Sequence, residues 1–136
     1  DCGRVMVEQK RGKVVNIASL HTHFSLAGMV PYGATKGAIG VMTRALAVEW
    51  AAFNIQVNAI APGFIRTDLN RALLESPEIK AFAEARVPAG HVGEPPDLVG
   101  VAVFLATAAS DYMTGQVLYV DGGITAGTTW PLKVPR

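Results

Sequence analysis

Short continuous apolar runs alternate along this chain with longer periodic ones. Residues 1–12 carry Val5 and Met6 among Arg4, Glu8, Lys10 and Arg11 and end at Gly12. This predicts the last turns of an amphipathic helix stopped by the glycine. Lys13–Ala18 is short, β-branched and almost unbroken in apolar character, as a buried parallel strand is. Leu20–Pro31 mixes Gly, Ser, Thr and Pro without periodicity and reads as a loop. A long helix is predicted over Tyr32–Phe53, with Lys36, Arg44 and Glu49 its only charges. One apolar stripe runs through Ala34, Ala38, Val41, Ala45 and Val48, and a second through Ile39, Met42, Leu46 and Trp50. A helix apolar on two faces needs cover on two faces. A sheet supplies one cover; a second subunit or another part of the same chain supplies the other.

Asn54 stands where a left-handed residue ends that helix, and Ile55–Ile60 is the next strand, broken by Ala61-Pro62-Gly63. Two short helices are predicted between Thr67 and Arg86, the second opening at Ser76-Pro77-Glu78 with Ser76 as N-cap. Glu94-Pro95-Pro96-Asp97 opens another helix, to about Ala108. Gly115 introduces the strand Gln116–Val120, closed by Asp121-Gly122-Gly123, and residues 128–136 form a tail containing Trp130. Strands alternating with helices predict an α/β fold with a parallel sheet and right-handed crossovers. Three strands leave a long edge bare, so the expected architecture is part of a larger one.

Composition narrows the class. At 50% hydrophobic and 17% charged, the 136 residues are too apolar for disorder and long enough for a core. A net charge of +1 gives no basic stripe, so neither nucleic acid nor an anionic membrane surface is an expected partner. The lone Cys2 excludes an internal disulfide framework and a cysteine-based zinc cluster. The apolar run Leu98–Ser110 is too short to span a bilayer. With no secretory signal visible, the expected location is cytoplasmic.

The chemistry begins at Tyr32-Gly33-Ala34-Thr35-Lys36, because residues four apart lie one above the other on a helix. A phenol is a poor base near neutrality, and an ammonium one turn away favours its phenolate form, which suits acid–base work. Such a pair alone is as well explained by a Tyr packed over a Lys stem. Ser19, 13 residues before Tyr32, lies at the carboxyl end of the first strand, where ligands bind in open parallel sheets. Its hydroxyl can donate to a substrate oxygen as charge develops there. Pro62-Gly63-Phe64-Ile65-Arg66-Thr67 leaves the second strand at the same rim.

Val15-Asn16-Ile17-Ala18-Ser19, Tyr32 to Lys36, Val57-Asn58-Ala59-Ile60-Ala61-Pro62-Gly63 and Val120-Asp121-Gly122-Gly123 together resemble the short-chain dehydrogenase/reductases, over essentially all of residues 1–127. The resemblance implies the C-terminal part of a Rossmann-like, doubly wound parallel sheet, with residues 1–127 the catalytic portion and 128–136 a tail. It implies Tyr32 as the acid–base residue of hydride transfer, Lys36 as its electrostatic partner on the nicotinamide ribose, and Ser19 as the group orienting the substrate oxygen. It further implies NAD or NADP as cofactor, bordered by Tyr32, Lys36, Pro62, Gly63, the backbone of Ile65 and the hydroxyl of Thr67, with no metal. A small alcohol or ketone and further copies of the chain are the implied partners.

The departures matter as much. Residues 1–12 hold no Asn to match the family's fourth catalytic residue, and no Gly-x-Gly-x-x-Gly phosphate turn occurs. The N-terminal nucleotide-binding half is therefore expected to lie outside these residues. Loop and tail most resemble members acting on sugar acids, such as gluconate 5-dehydrogenases, with 3-oxoacyl-carrier-protein reductases as the near alternative. Two other readings stay open: a catalytically silent fragment that self-associates through its bare edge and binds dinucleotide weakly or not at all, and an oligomerising module. His21 and His23 read as substrate-loop or surface residues, and Arg66 and Arg71 as a solvated helix face.

Overall fold

The structure, a computed structural model, describes residues 2–127. Helix α1 (Cys2–Gln9) leads into strand β1 (Gly12–Ile17); α2 (Val30–Trp50) leads into β2 (Ile55–Pro62). Two short helices, α3 (Arg71–Leu74) and α4 (Pro77–Arg86), precede α5 (Val99–Ala106) and β3 (Val117–Val120). The strands form one parallel sheet in the order β1-β2-β3, with Gly12 opposite Ile55, Ile17 opposite Ile60, and Ala59 opposite Val117. As the central strand, β2 carries most of the fully buried side chains: Ile55, Val57, Ala59, Ile60 and Ala61.

Helix α2 covers one face. Ala47 packs with Ile55 and Val57, joined by Leu46, Trp50, Val14 and the α1 residues Met6 and Val7, while Ile39 lies on Ala18, Ala59 and Ala61. Polar contacts reinforce this layer: Asn16 of β1 donates to Thr43 Oγ1 at 2.9 Å, and that hydroxyl donates to the Ile39 carbonyl at 2.8 Å. Helix α5 packs against β1 and β2, and Lys13, one residue from Val14 and so on the opposite face, reaches Asp111 at 2.7 Å. The stripe Ala34, Ala38, Val41, Ala45 and Val48 is exposed throughout, so the two-faced helix has one cover among the described residues.

Several boundaries differ from expectation for local reasons. Helix α1 ends at Gln9 and is stopped by Lys10, which takes the left-handed conformation (φ 51°); Gly12 serves instead to clear Met6, whose Cγ and Sδ would lie within 2.7 Å of an added Cβ. Pro62 stays in the ladder opposite Val120, since a strand-end proline forfeits a single N–H. Pro95–Leu98 is a tight 3₁₀ turn rather than the first turn of α5, and Leu20–Thr22 forms a second one inside the expected loop. Asn54 is left-handed (φ 56°) and Ser76 caps α4, both as predicted. The tail, with Trp130, lies outside the described residues.

Candidate functional site

Three elements meet at the carboxyl end of the sheet. Ser19 follows β1 in extended conformation and is 6% exposed; its Oγ accepts the His21 amide at 3.3 Å. The turn that follows is pinned on both sides of His21. Leu20 is buried against Val87 and Ile124, and Thr22 Oγ1 donates to the Lys36 carbonyl at 3.2 Å. Gly40 is where α2 admits this turn: a Cβ there would stand 2.5 Å from Thr22 Cγ2.

Tyr32 lies in the first turn of α2, 42% exposed, with the His21 ring edge-to-face at 5.2 Å between centroids. One turn on, the Lys36 ammonium is 5.8 Å from the Tyr32 ring centroid and donates to the Ile17 carbonyl at 3.0 Å. Ser19, Tyr32 and Lys36 thus converge on the end of β1, with His21 touching both Ser19 and Tyr32.

The loop leaving β2 shares this rim. Gly63 donates to the Val120 carbonyl at 3.0 Å and lies so close to β3 that an added Cβ would be 2.7 Å from Asp121 Cα. Asp121 is absorbed by its own turn, accepting Gly123 N at 2.8 Å and Thr125 N at 3.1 Å, so the Asp-Gly-Gly sequence closes a strand rather than supplying an acid. Asn70 fixes the next stretch, accepting Thr67 N at 2.7 Å and donating to the Ile65 carbonyl at 2.8 Å. A small cavity of about 160 Å³ lies between this loop and the end of β3, lined by Phe64, Ile65, Val87, His91 and Val120.

Residues 67–92, which contain α3 and α4, leave and return through a neck. Ile65 pairs with Gly93, Arg66 N donates to the Gly93 carbonyl at 2.8 Å, and Gly93 N donates to the Phe64 carbonyl at 2.8 Å. The Arg66 guanidinium closes the neck on Glu94 at 2.7 Å, so Arg66 is a loop residue in an ion pair and not part of a solvated helix face. Arg71 does face solvent, beside Asp68 at 2.8 Å. His23 is exposed near Tyr119, whose phenol burial pushes up, with Arg44 opposing and Asp121 reinforcing the shift. His21 is half-buried, and burial lowers its pKa. Sequence reasoning passed over Thr22, Gly40 and Asn70; Asn70 bonds backwards to Thr67 N and the Ile65 carbonyl, a pattern that forward Asx-turn spacing does not signal.

Among the described residues no group of three or more His, Cys, Asp or Glu could hold a metal ion, and no helix is long and apolar enough to cross a membrane. At this rim the Lys36 ammonium and the Tyr32 hydroxyl are the side-chain groups a dinucleotide could meet, while the Gly63, Arg66 and Thr67 amides are already bonded within the chain. These 136 residues offer no glycine-rich turn for a diphosphate.

A family model described as enoyl-(acyl carrier protein) reductase matches residues 1–125. The chain is 46% identical over 121 residues to 5-keto-D-gluconate 5-reductase of Escherichia coli strain K12, covering 89% of this chain and 48% of that protein. It is 43% identical over 122 residues to gluconate 5-dehydrogenase of Gluconobacter oxydans, covering 90% and 48%. A solved gluconate 5-dehydrogenase from Burkholderia cenocepacia, in complex with NADP and tartrate, superposes with a TM-score of 0.90 at 41% identity, covering 93% of this chain and 49% of that one. The chain therefore spans about half the length of the relatives it matches.

Proposed function

We propose, from the premise that this chain belongs to the short-chain dehydrogenase/reductase family, that it carries the acid–base end of an NAD(P)-dependent enzyme interconverting a secondary alcohol and a ketone on a gluconate-type sugar acid. The observation that carries this reading is the convergence of Ser19, Tyr32 and Lys36 at one strand end. The substrate class rests on what the named relatives act on.

In the reductive direction the substrate oxygen gains electron density and must gain a proton. Ser19 Oγ already accepts the His21 amide, which leaves its own proton free to donate outward to that oxygen. The Tyr32 hydroxyl gives the proton, and the Lys36 ammonium stabilises the negative charge left on the phenol. Its anchor on the Ile17 carbonyl holds that charge in place without rearrangement. In the oxidative direction the same groups act in reverse. When bound, the nicotinamide supplies or takes the hydride; Tyr32, Lys36, Pro62, Gly63, Ile65 and Thr67 are the residues that would border it.

Replacing Tyr32 with Phe in the protein at its natural full length tests the assignment, with 5-keto-D-gluconate as substrate and nicotinamide absorbance as readout. A loss of about 10²- to 10⁴-fold in kcat with dinucleotide binding retained is expected; undiminished turnover refutes it. The unpaired edge of β1 and the exposed stripe of α2 favour a second reading, in which these residues by themselves are catalytically silent and self-associate. Titrating the 136-residue chain alone with NADH and NADPH tests it, and micromolar affinity for either overturns it.

A further inference from the structure

His21 stands out because one of its polar atoms is left over. Nδ1 is buried with no hydrogen-bond partner among the described residues, while the residue as a whole is half-buried, so the reachable edge of the ring bears Nε2. A neutral imidazole carries its proton on one nitrogen only. Placing that proton on Nδ1 would bury an unpaired N–H donor, whereas a buried bare lone pair at Nδ1 leaves the donor on the edge that ligands can approach. The same burial disfavours the doubly protonated ring.

The ring is also held still. Its backbone N–H is tied to Ser19 Oγ, Leu20 before it is buried, Thr22 after it is bonded to α2, and its face or edge rests on Tyr32. A donor fixed in this way beside the proton-transferring groups is preorganised for an acceptor on the substrate.

We propose that His21 is a specificity-determining residue that presents an Nε2–H donor to an oxygen on the carbon next to the reacting one, selecting hydroxylated ketones over plain ones. This rests on the reading of Ser19, Tyr32 and Lys36 as the reacting site, and adds the part of the substrate that the site recognises. It also gives a reason for a polar residue within a turn whose neighbours Leu20 and Phe24 pack into an apolar cluster.

Two measurements on the protein at its natural full length test it. Nitrogen-detected NMR of the wild-type imidazoles at pH 7 is expected to show His21 neutral and protonated on Nε2. An Nδ1–H ring, or a mixture of tautomers, overturns the proposal whether or not the protein turns over. Kinetics then compare 5-keto-D-gluconate with its analogue lacking both hydroxyls that flank the ketone, on C4 and C6. His21→Phe is expected to lower kcat/KM for the hydroxylated ketone on the order of tenfold and leave the deoxy analogue unaffected. His21→Gln, which keeps a side-chain N–H donor, is expected to recover much of the loss. An equal loss on both substrates, or none on either, overturns the proposal. Loss of activity in Tyr32→Phe alongside unchanged His21→Phe kinetics would leave the acid–base reading standing and remove this one alone.

Discussion

Gly40 is the point at which α2 meets the turn that carries His21, and its substitution by Ala separates packing from helix propensity. A Cβ at this position would stand 2.5 Å from Thr22 Cγ2 but 3.9 Å from Thr22 Cβ, so the conflict lies with one methyl group. Gly→Ala inside a helix gains about 0.8–1 kcal/mol. Forcing a methyl into a packed site costs about 1–3 kcal/mol. If Thr22 rotates to escape, its 3.2 Å bond to the Lys36 carbonyl is lost, at about 0.5–1.5 kcal/mol. The single variant is therefore expected to be destabilised by about 1–2 kcal/mol. Thr22→Ser removes the offending methyl and keeps the hydroxyl, so in that background Gly40→Ala should stabilise by about 1 kcal/mol. The coupling, about 2–3 kcal/mol, exceeds the roughly 0.3–0.5 kcal/mol scatter of independent sites. Urea unfolding of the parent, both singles and the double variant, followed by circular dichroism, measures it. Additive effects within that scatter would refute the account of why a glycine stands at position 40.

Asn58 is 1% exposed and joins β2 to the approach of β3, donating to the Met113 carbonyl at 2.8 Å and accepting Gln116 N at 3.0 Å. Asn58→Leu keeps the branching but leaves two part-buried backbone groups without their partner, so a loss of about 1–3 kcal/mol in denaturant unfolding is expected; a change under about 0.5 kcal/mol would contradict it. Burial depresses the His21 pKa below 6.5 in the folded chain, so on acidification the unfolded chain takes the proton first. The contribution of His21 to stability is then present above about pH 6.5 and is lost as pH falls from there through the folded value. His21→Gln should flatten that part of the stability-against-pH curve, and coincident slopes for parent and variant would show that the ring does not carry it.

Much of the architecture could be read from periodicity. The short, almost unbroken apolar run at Lys13–Ala18 and the left-handed Asn54 before Ile55 marked two strands of a parallel sheet, of which β2 is buried on both faces while β1 is half-buried and exposes Ile17. The stripe from Ala34 to Val48 was also legible, but not which stripe faces the sheet. Gly40, Thr43 and Ala47 are the buried residues of α2, and small or hydroxylated residues carry little hydrophobic signal even where they are most buried. Ser19, Tyr32 and Lys36, singled out by spacing together with the family resemblance, lie near one another at the end of β1. The residues that hold the turn and loop were not legible, because their partners are distant in sequence: Thr22 acts on Lys36 and Gly40, and Asn58 on Met113 and Gln116. Arg66 was misread for the same reason, its partner Glu94 being 28 positions away.

The neck formed by Phe64–Arg66 and Gly93–Glu94 has a bearing on how such a protein can change. Because the backbone is sutured at the root of the excursion, its exposed tip around Leu69–Leu73 is free to change, while Val87, packed on Leu20 and Ile124, and Ala89, bonded to the Gly122 carbonyl, tie the returning limb to the sheet. Variation is thereby confined to that tip, away from the end of β1 and the first turn of α2. A lineage can therefore rewrite the tip of the excursion many times while the sheet and the turn beneath its root stay the same.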